Sequence, residues 1–227
     1  MLTDADHGRI RAAIAEVERK TAGEIFCVLA RNVSRYREVP LAWAAVAALL
    51  VPPVLVMLGL HRLAMADAFS GWADESLRAA EGLILRSLTT YTLVQAGIFV
   101  AVALIVSLPS VRKAMTPRFL KRHRIRQIAR RHFAAAGARL TKAEPHILIF
   151  ASLEDRQVEL VAHAAIHQAV GEGPWNDAVR AVGEGMKAGK PADGYIRAVE
   201  ICGAQLARHF PPEGPPKNRF PNDILEI

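Results

Sequence analysis

The sequence predicts an α/β domain interrupted by a two-helix transmembrane hairpin. Three observations carry that prediction. Two long stretches, Leu41–Leu60 and Ser87–Val111, contain no Asp, Glu, Lys or Arg, and about 20 helical residues cross a hydrocarbon core of roughly 30 Å. Two short β-favouring apolar runs, Ile25–Leu29 and His146–Ser152, read as strands buried on both faces. Around them, apolar residues recur at helical spacing in several polar segments, among them Ile10, Ile14 and Val17.

The bulk properties agree with a membrane-anchored domain. The mean hydropathy of +0.17 is high for a soluble chain, and the two uncharged stretches account for it. The net charge of +7 is local in origin, because nine basic residues and no acid lie between Arg112 and Arg131. Cys27 lies in an apolar strand and Cys202 in a helical stripe, so both are expected as buried reduced thiols rather than as a disulfide framework or a zinc site. The polar, helical segment Met1–Lys20 is not expected to act as a cleavable signal peptide.

Thr3 and Asp6 have the spacing of a capping box and should start the first helix, with Gly23 as its stop. The first apolar span carries Pro52-Pro53, which predicts a kink, with a re-entrant loop as the alternative. Ala44 and Ala48 make a small-residue face suited to packing against the second span. Between the spans, His61–Arg86 holds four acids against three Lys and Arg, and Trp72 suits a membrane interface. Neither span contains an ionisable group of the kind transport or proton relay needs, which argues against a transporter or channel.

After the second span come Arg112, Lys113, Arg118, Lys121, Arg122 and Arg124, followed by Arg126, Arg130 and Arg131. Positive-inside topology explains such a cluster beside a span, and attraction to anionic lipid headgroups follows from the same charges. Nucleic-acid binding is disfavoured, since no recognition fold or aromatic interleaving accompanies the charges. Ile125, Ile128, Ala129, Phe133 and Ala136 give this helix a packing face, and Gly137 ends it. His146–Ser152 and Gln157–Ala162 then form a hairpin around Leu153-Glu154-Asp155-Arg156. Ala164–Val170 is a short helix closed by Gly171 and Gly173. Trp175, Ala178, Val179, Val182 and Met186 mark one further helix, Pro191 breaks it, and Ile196, Val199, Gly203, Leu206 and Phe210 mark the last. The Pro-rich stretch 211–227 is expected to be irregular.

This series of Leu2–Ala30, Ala129–Phe133, Leu140-Thr141, Ile147–Ser152, Glu154-Asp155-Arg156, Val158, Trp175, Gly194 and Leu206–Pro211 resembles the TPM-domain family, the thylakoid acid-phosphatase-like domain, in its bacterial membrane-protein branch. The resemblance covers nearly all of the chain outside the spans. It implies a small central sheet layered between helices, with the spans inserted after the first strand. It also implies two candidate chemistries, weak phosphatase activity and divalent-cation binding through acidic loops, which would place a metal at Glu154 and Asp155. The sequence departs from the family where that chemistry would sit. An acid followed by glycine is common after the strand that follows the Asp-Arg turn, and here the residues are His163-Ala164-Ala165-Ile166. Two side chains alone do not supply the six or more oxygens that Ca²⁺ takes.

Other motifs are weaker. His163 and His167 stand at i, i+4, but Ala164 occupies the position of the zinc-peptidase Glu. Gly171-Glu172-Gly173 lacks the third glycine of a dinucleotide loop, and Gly185–Lys190 is too short for a phosphate loop. Asp177, Glu184 and Asp193 read as helix-surface or cap residues.

The resulting expectation divides the chain into 1–39, the first part of the TPM-like domain; 40–111, the hairpin and its external loop; 112–210, the remainder of the domain; and 211–227, the tail. It places the protein in the inner membrane with both termini cytoplasmic. No catalytic residue can be assigned. The expected role is a membrane-anchored interaction or assembly module whose partners are membrane lipids and a protein, not nucleic acid. A weak metal-assisted phosphatase is the alternative. No cofactor is expected, apart from the divalent cation that the alternative would need. A pocket lined by apolar and basic groups would favour the module, and acids converging in one pocket would favour the phosphatase.

Overall fold

A computed structural model describes residues 2–33, 36–58, 77–138, 145–171, 173–212 and 222–227, with backbone alone for 56 and 77–87. Trp72, Leu140-Thr141, Glu172 and most of the loop between the spans lie outside the described residues. The chain forms two compact units, one of residues 1–35 with 118–227 and one of residues 36–117.

In the first unit, helix α1 (Asp4–Glu18) begins with the expected capping box: the Thr3 hydroxyl accepts from the Asp6 N–H, and the Asp6 carboxylate returns to the Thr3 N–H. The helix ends at Glu18, earlier than Gly23. The Thr21 hydroxyl donates to the Phe210 carbonyl at 2.7 Å, and Gly23 packs on the Leu206 side chain. Strand β1 (Glu24–Ala30) follows, then β2 (His146–Ser152) and β3 (Gln157–Ala162) after the hairpin unit. With β4 at Ile224–Glu226, the sheet order is β3-β2-β1-β4, with β1 parallel to β2 and to β4 and with β2 antiparallel to β3. In register, Ile25 meets Ile147 and Cys27 meets Ile149.

The pleat sends alternate side chains to opposite faces. Ile25, Cys27, Leu29, Ile147 and Ile149 face a core made with α1, α7 (Gly173–Lys187) and α8 (Pro191–His209), together with Ile166 of the short helix α6 (Ala164–Val170). Val28, Ala30, Leu148 and Phe150 face a smaller core closed by Ile125 and Ala129 of helix α5 (Arg118–Gly137). The sheet is therefore covered by helices on both faces. Helices α7 and α8 approach so closely that a Cβ on Gly185 would lie 2.7 Å from the Gly194 Cα, which only glycine permits.

The tail departs from expectation. Instead of being irregular throughout 211–227, it returns as strand β4 (Ile224–Glu226) alongside β1. Ile224 is buried, Asp223 is held by His7 and Arg11, and the Leu2 N–H donates to Glu226 at 2.8 Å. Burial of one isoleucine and satisfaction of the β1 edge fix a strand too short for periodicity to reveal.

The second unit contains α2 (Glu38–Met57), α3 (Leu77–Ser107) and α4 (Pro109–Met115). Two windows, Glu38–Leu55 and Leu88–Ser107, are long and apolar enough to cross a membrane. Helix α2 runs without a break through Pro52-Pro53, so the re-entrant alternative is not adopted. Ala44 and Ala48 are buried, and α2 packs along α3. The predicted second span, Ser87–Val111, agrees at its start with the apolar window Leu88–Ser107 and runs past it at its end. The helix starts ten residues earlier, because hydropathy marks an apolar segment and not a helix start. It stops before Leu108, because Pro109 begins a new helix at a position where no N–H is required. Arg112 and Lys113 thus lie on α4 with the hairpin unit rather than with the remainder of the domain, and Pro117 separates them from α5.

Candidate functional site

A groove of about 860 Å³ runs along β3 between α5 and α7. Its position follows from the topology. β3 is an edge strand, α5 covers one face of the sheet beside it, and α7 covers the other. From α5 come Phe119, Arg122, His123 and Arg126; Arg156 is supplied by the β2–β3 turn, His167 by α6 and Lys187 by the end of α7. Beneath these charges lie Leu153, Val158, Leu160, Trp175, Val179 and Met186.

Among the described residues Glu159 is the one acid lining the groove, and its carboxylate accepts from the Arg126 Nε at 2.7 Å. That hydrogen bond raises the Arg126 pKa further. Phe119 is 68% exposed at the rim. Trp175 is buried, and its indole N–H has no acceptor among the described residues. Arg156 holds a left-handed backbone (φ 50°) in the tight turn after β2, an unusual conformation for a residue other than glycine, asparagine or aspartate.

The open edge of β3 is a further feature of the groove. The His163 N–H donates to the His146 carbonyl at 2.9 Å, and Leu148 pairs with Val161 and Phe150 with Glu159. In an antiparallel ladder this phase turns the N–H and C=O of residues 157, 159 and 161 toward β2. The backbone groups of Val158 and Leu160 therefore point away from β2, and no described residue bonds to them.

Glu154 and Asp155 sit in the turn next to the groove, but each is already engaged. The Asn32 side-chain amide donates to Glu154 at 3.0 Å, and Asp155 accepts from the Ser152 hydroxyl at 3.2 Å. Asp177 pairs with Arg180 and Asp193 with Arg9, each on the protein surface. His163 stands before the first turn of α6 as its N-cap, its ring 5.4 Å from that of His146, whereas His167 lines the groove. Among the described residues no three His, Cys, Asp or Glu side chains converge on one point. Cys27 and Cys202 are free and buried; burial pushes both thiols up, Cys202 to about 12.

Of the basic residues assigned from sequence to the lipid surface, Arg112 and Lys113 lie on α4, and Arg118, Lys121, Arg122 and Arg124 lie on α5. Arg122 lines the groove. Sequence reasoning missed the groove because its lining comes from segments far apart in the chain. The legible signal was Val158-Glu159-Leu160, an alternating strand with an acid that needed a basic neighbour.

A solved structure is similar to this chain: the NMR structure of the BA42 protein from the psychrophilic bacterium Bizionia argentinensis. The TM-score is 0.55 at 15% sequence identity, over 100% of this chain and 96% of that one. At that identity the likeness establishes a shared fold. No family model matches the chain, and neither does any curated protein.

Proposed function

We propose that this chain is a membrane-anchored, TPM-like module that faces the cytoplasm and docks a protein partner in the groove beside β3. The lining of the groove carries the proposal: an apolar floor under a basic rim, with the one acid among its described residues paired with Arg126. Phosphoryl transfer needs a metal or clustered cations together with a positioned nucleophile or water. Cations are present here, but Glu154 and Asp155 are occupied by Asn32 and Ser152. Exposed aromatic and basic side chains over an apolar floor are instead the usual anchors of a protein interface.

The surface of the hairpin unit supports the anchor. Among the described residues, every large apolar side chain that is strongly exposed lies on this unit except Phe119, Leu225 and Ile227. Only 6% of the Leu88–Ser107 window is buried, unlike the core helix of a soluble protein. Exposed apolar surface of that extent is stable against lipid, not water. The hydroxyls of Thr92 and Ser107 donate to the carbonyls of Leu88 and Ala103, as a lipid environment requires. In this reading the basic groups on α4 and the outer side of α5 contact anionic lipid.

The test places a photo-crosslinking amino acid at Met186 in the groove and, separately, at Leu225 near the opposite sheet edge of the full-length protein. The expected result is a discrete protein adduct from Met186 that Arg122→Glu/Lys187→Glu abolishes, with none from Leu225. An adduct pattern that is the same from both positions, or that survives the charge reversal, overturns the proposal.

A further inference from the structure

From the β3 edge we infer that the groove takes its partner as an added β-strand, a segment in which acidic and apolar residues alternate. The inference rests on the docking reading above and specifies the chemistry of the occupant.

Two independent features lead to it. The first is the backbone. Val158 and Leu160 turn their N–H and C=O groups into the groove and away from β2, and no described residue bonds to them. An open edge of this kind is a template for a further strand, and proteins commonly blunt such edges with charge, proline or a covering element. Here β3 carries no proline or lysine, and its one charge, Glu159, is drawn aside by Arg126. The helices on either side flank the edge and leave a groove over it.

The second feature is the difference between the two walls. A strand added to β3 continues the sheet, so its side chains alternate between the face under α5 and the face under α7. On the α5 side they meet Arg122, His123 and Arg126, with Phe119 at the rim. On the α7 side they meet Trp175, Val179 and Met186, with Lys187 at the end. Acids suit the first wall and apolar side chains the second, so the period-two pattern of the partner is set by the groove itself. Trp175 also offers a buried indole N–H with no acceptor among the described residues. The chain's own segment 213–221, Glu-Gly-Pro-Pro-Lys-Asn-Arg-Phe-Pro, is a poor occupant: its prolines cannot donate to a ladder and its Lys and Arg would meet like charge. An anionic lipid would use the cations but not the strand edge.

The probe is a synthetic heptapeptide, Glu-Val-Glu-Val-Glu-Val-Glu with blocked ends, added to the full-length protein in neutral detergent. Hydrogen exchange at Val158 and Leu160 and Trp175 fluorescence are followed. Binding should slow exchange at both amides. Methylating the peptide backbone nitrogens on one edge at a time should abolish binding for one of the two edges, with no change to the protein. Val158→Pro should do the same, since it removes an N–H that makes no bond to β2. Arg122→Glu should weaken binding by about tenfold or more, since it replaces attraction by repulsion on the wall that the acids face. A Lys-for-Glu peptide should not bind. The inference is overturned if peptides methylated on either edge bind as well as the parent, if the Lys peptide binds, or if the two amides stay unprotected at millimolar peptide. If they fail while the Met186 crosslinks still vanish on charge reversal, docking stands and strand addition falls. If anionic vesicles protect the groove and the peptide does not, lipid is the occupant and both readings fall.

Discussion

The Tyr195 hydroxyl donates to the Val28 carbonyl at 2.6 Å, with both residues buried and 167 positions apart in sequence. It joins the last helix to the strand that precedes the hairpin, so the domain is closed only when the chain returns from residue 117. Tyr195→Phe removes this bond and leaves the packing of the ring. It should lower domain stability by about 1 kcal/mol, the usual net worth of a buried hydrogen bond. Denaturant unfolding with an unchanged m-value would verify this, and a loss of several kcal/mol would point to a wider rearrangement.

The same closure predicts which fragments fold. β1 lies between β2 and β4, with Ile25, Cys27 and Leu29 in one core and Val28 and Ala30 in the other. Replacing Tyr36–Pro117 by a flexible linker should give a soluble, cooperatively unfolding domain, since those residues form a separate unit. Removing residues 1–30 from it should leave β2 and β4 without their shared neighbour and yield aggregate. A well-folded 118–227 fragment, seen as dispersed amide resonances, would contradict this.

What could be read from the sequence follows from the range of the forces involved. The capping box is local, and the structure has it at Thr3 and Asp6. Ile25–Leu29 and His146–Ser152 were legible as strands because both faces are buried and the runs are continuously apolar. β4 was not, since three residues cannot show a period and their place depends on Asp223 meeting His7 and Arg11. The groove was less legible still. Arg122 could be read as a lipid-facing charge because nothing local says that β3 and α7 will share its surroundings.

Glu18 gives the domain a pH dependence. Its Oε1 accepts from the Ile25 N–H at 3.1 Å. Burial, and then the charge of Glu24 beside it, push its pKa from 4.5 up to about 8. Between those values the folded state keeps a proton that the unfolded chain has released. Stability should therefore be greatest below about pH 4.5 as far as this group is concerned, and should fall as pH rises toward 8. Glu18→Gln should flatten that slope and raise the thermal midpoint more at pH 8.5 than at pH 5.5. An unaltered slope in the variant would assign the dependence to other groups.

Topology follows from where the cations stand. Arg31, Arg35 and Arg37 precede the first span, the Arg112–Arg131 cluster follows the second, and the segment between is slightly acidic. By the excess of Lys and Arg near the span ends, the proposed orientation has both termini in the cytoplasm. A reporter active only outside the cytoplasm should be active when fused at Asp74 and silent at Ile227. The opposite pattern would invert the orientation.

The last prediction concerns turnover. Glu154 is held by Asn32, and Asp155 accepts from Ser152 across the turn that presents Arg156. A metal would have to displace both partners, and hard cations fill most of their coordination with oxygens that these two carboxylates cannot supply alone. The cations of the groove could bind a phosphate, but binding substrate and transition state alike gives no acceleration. The purified protein should therefore show no phosphomonoester hydrolysis above background from acidic to neutral pH with Mg²⁺, Ca²⁺ or Mn²⁺. Glu154→Ala/Asp155→Ala should change that background by nothing measurable while loosening the turn. Turnover that the double variant abolishes would make the turn a metal-assisted active site, and the groove beside it would then bind substrate rather than a strand.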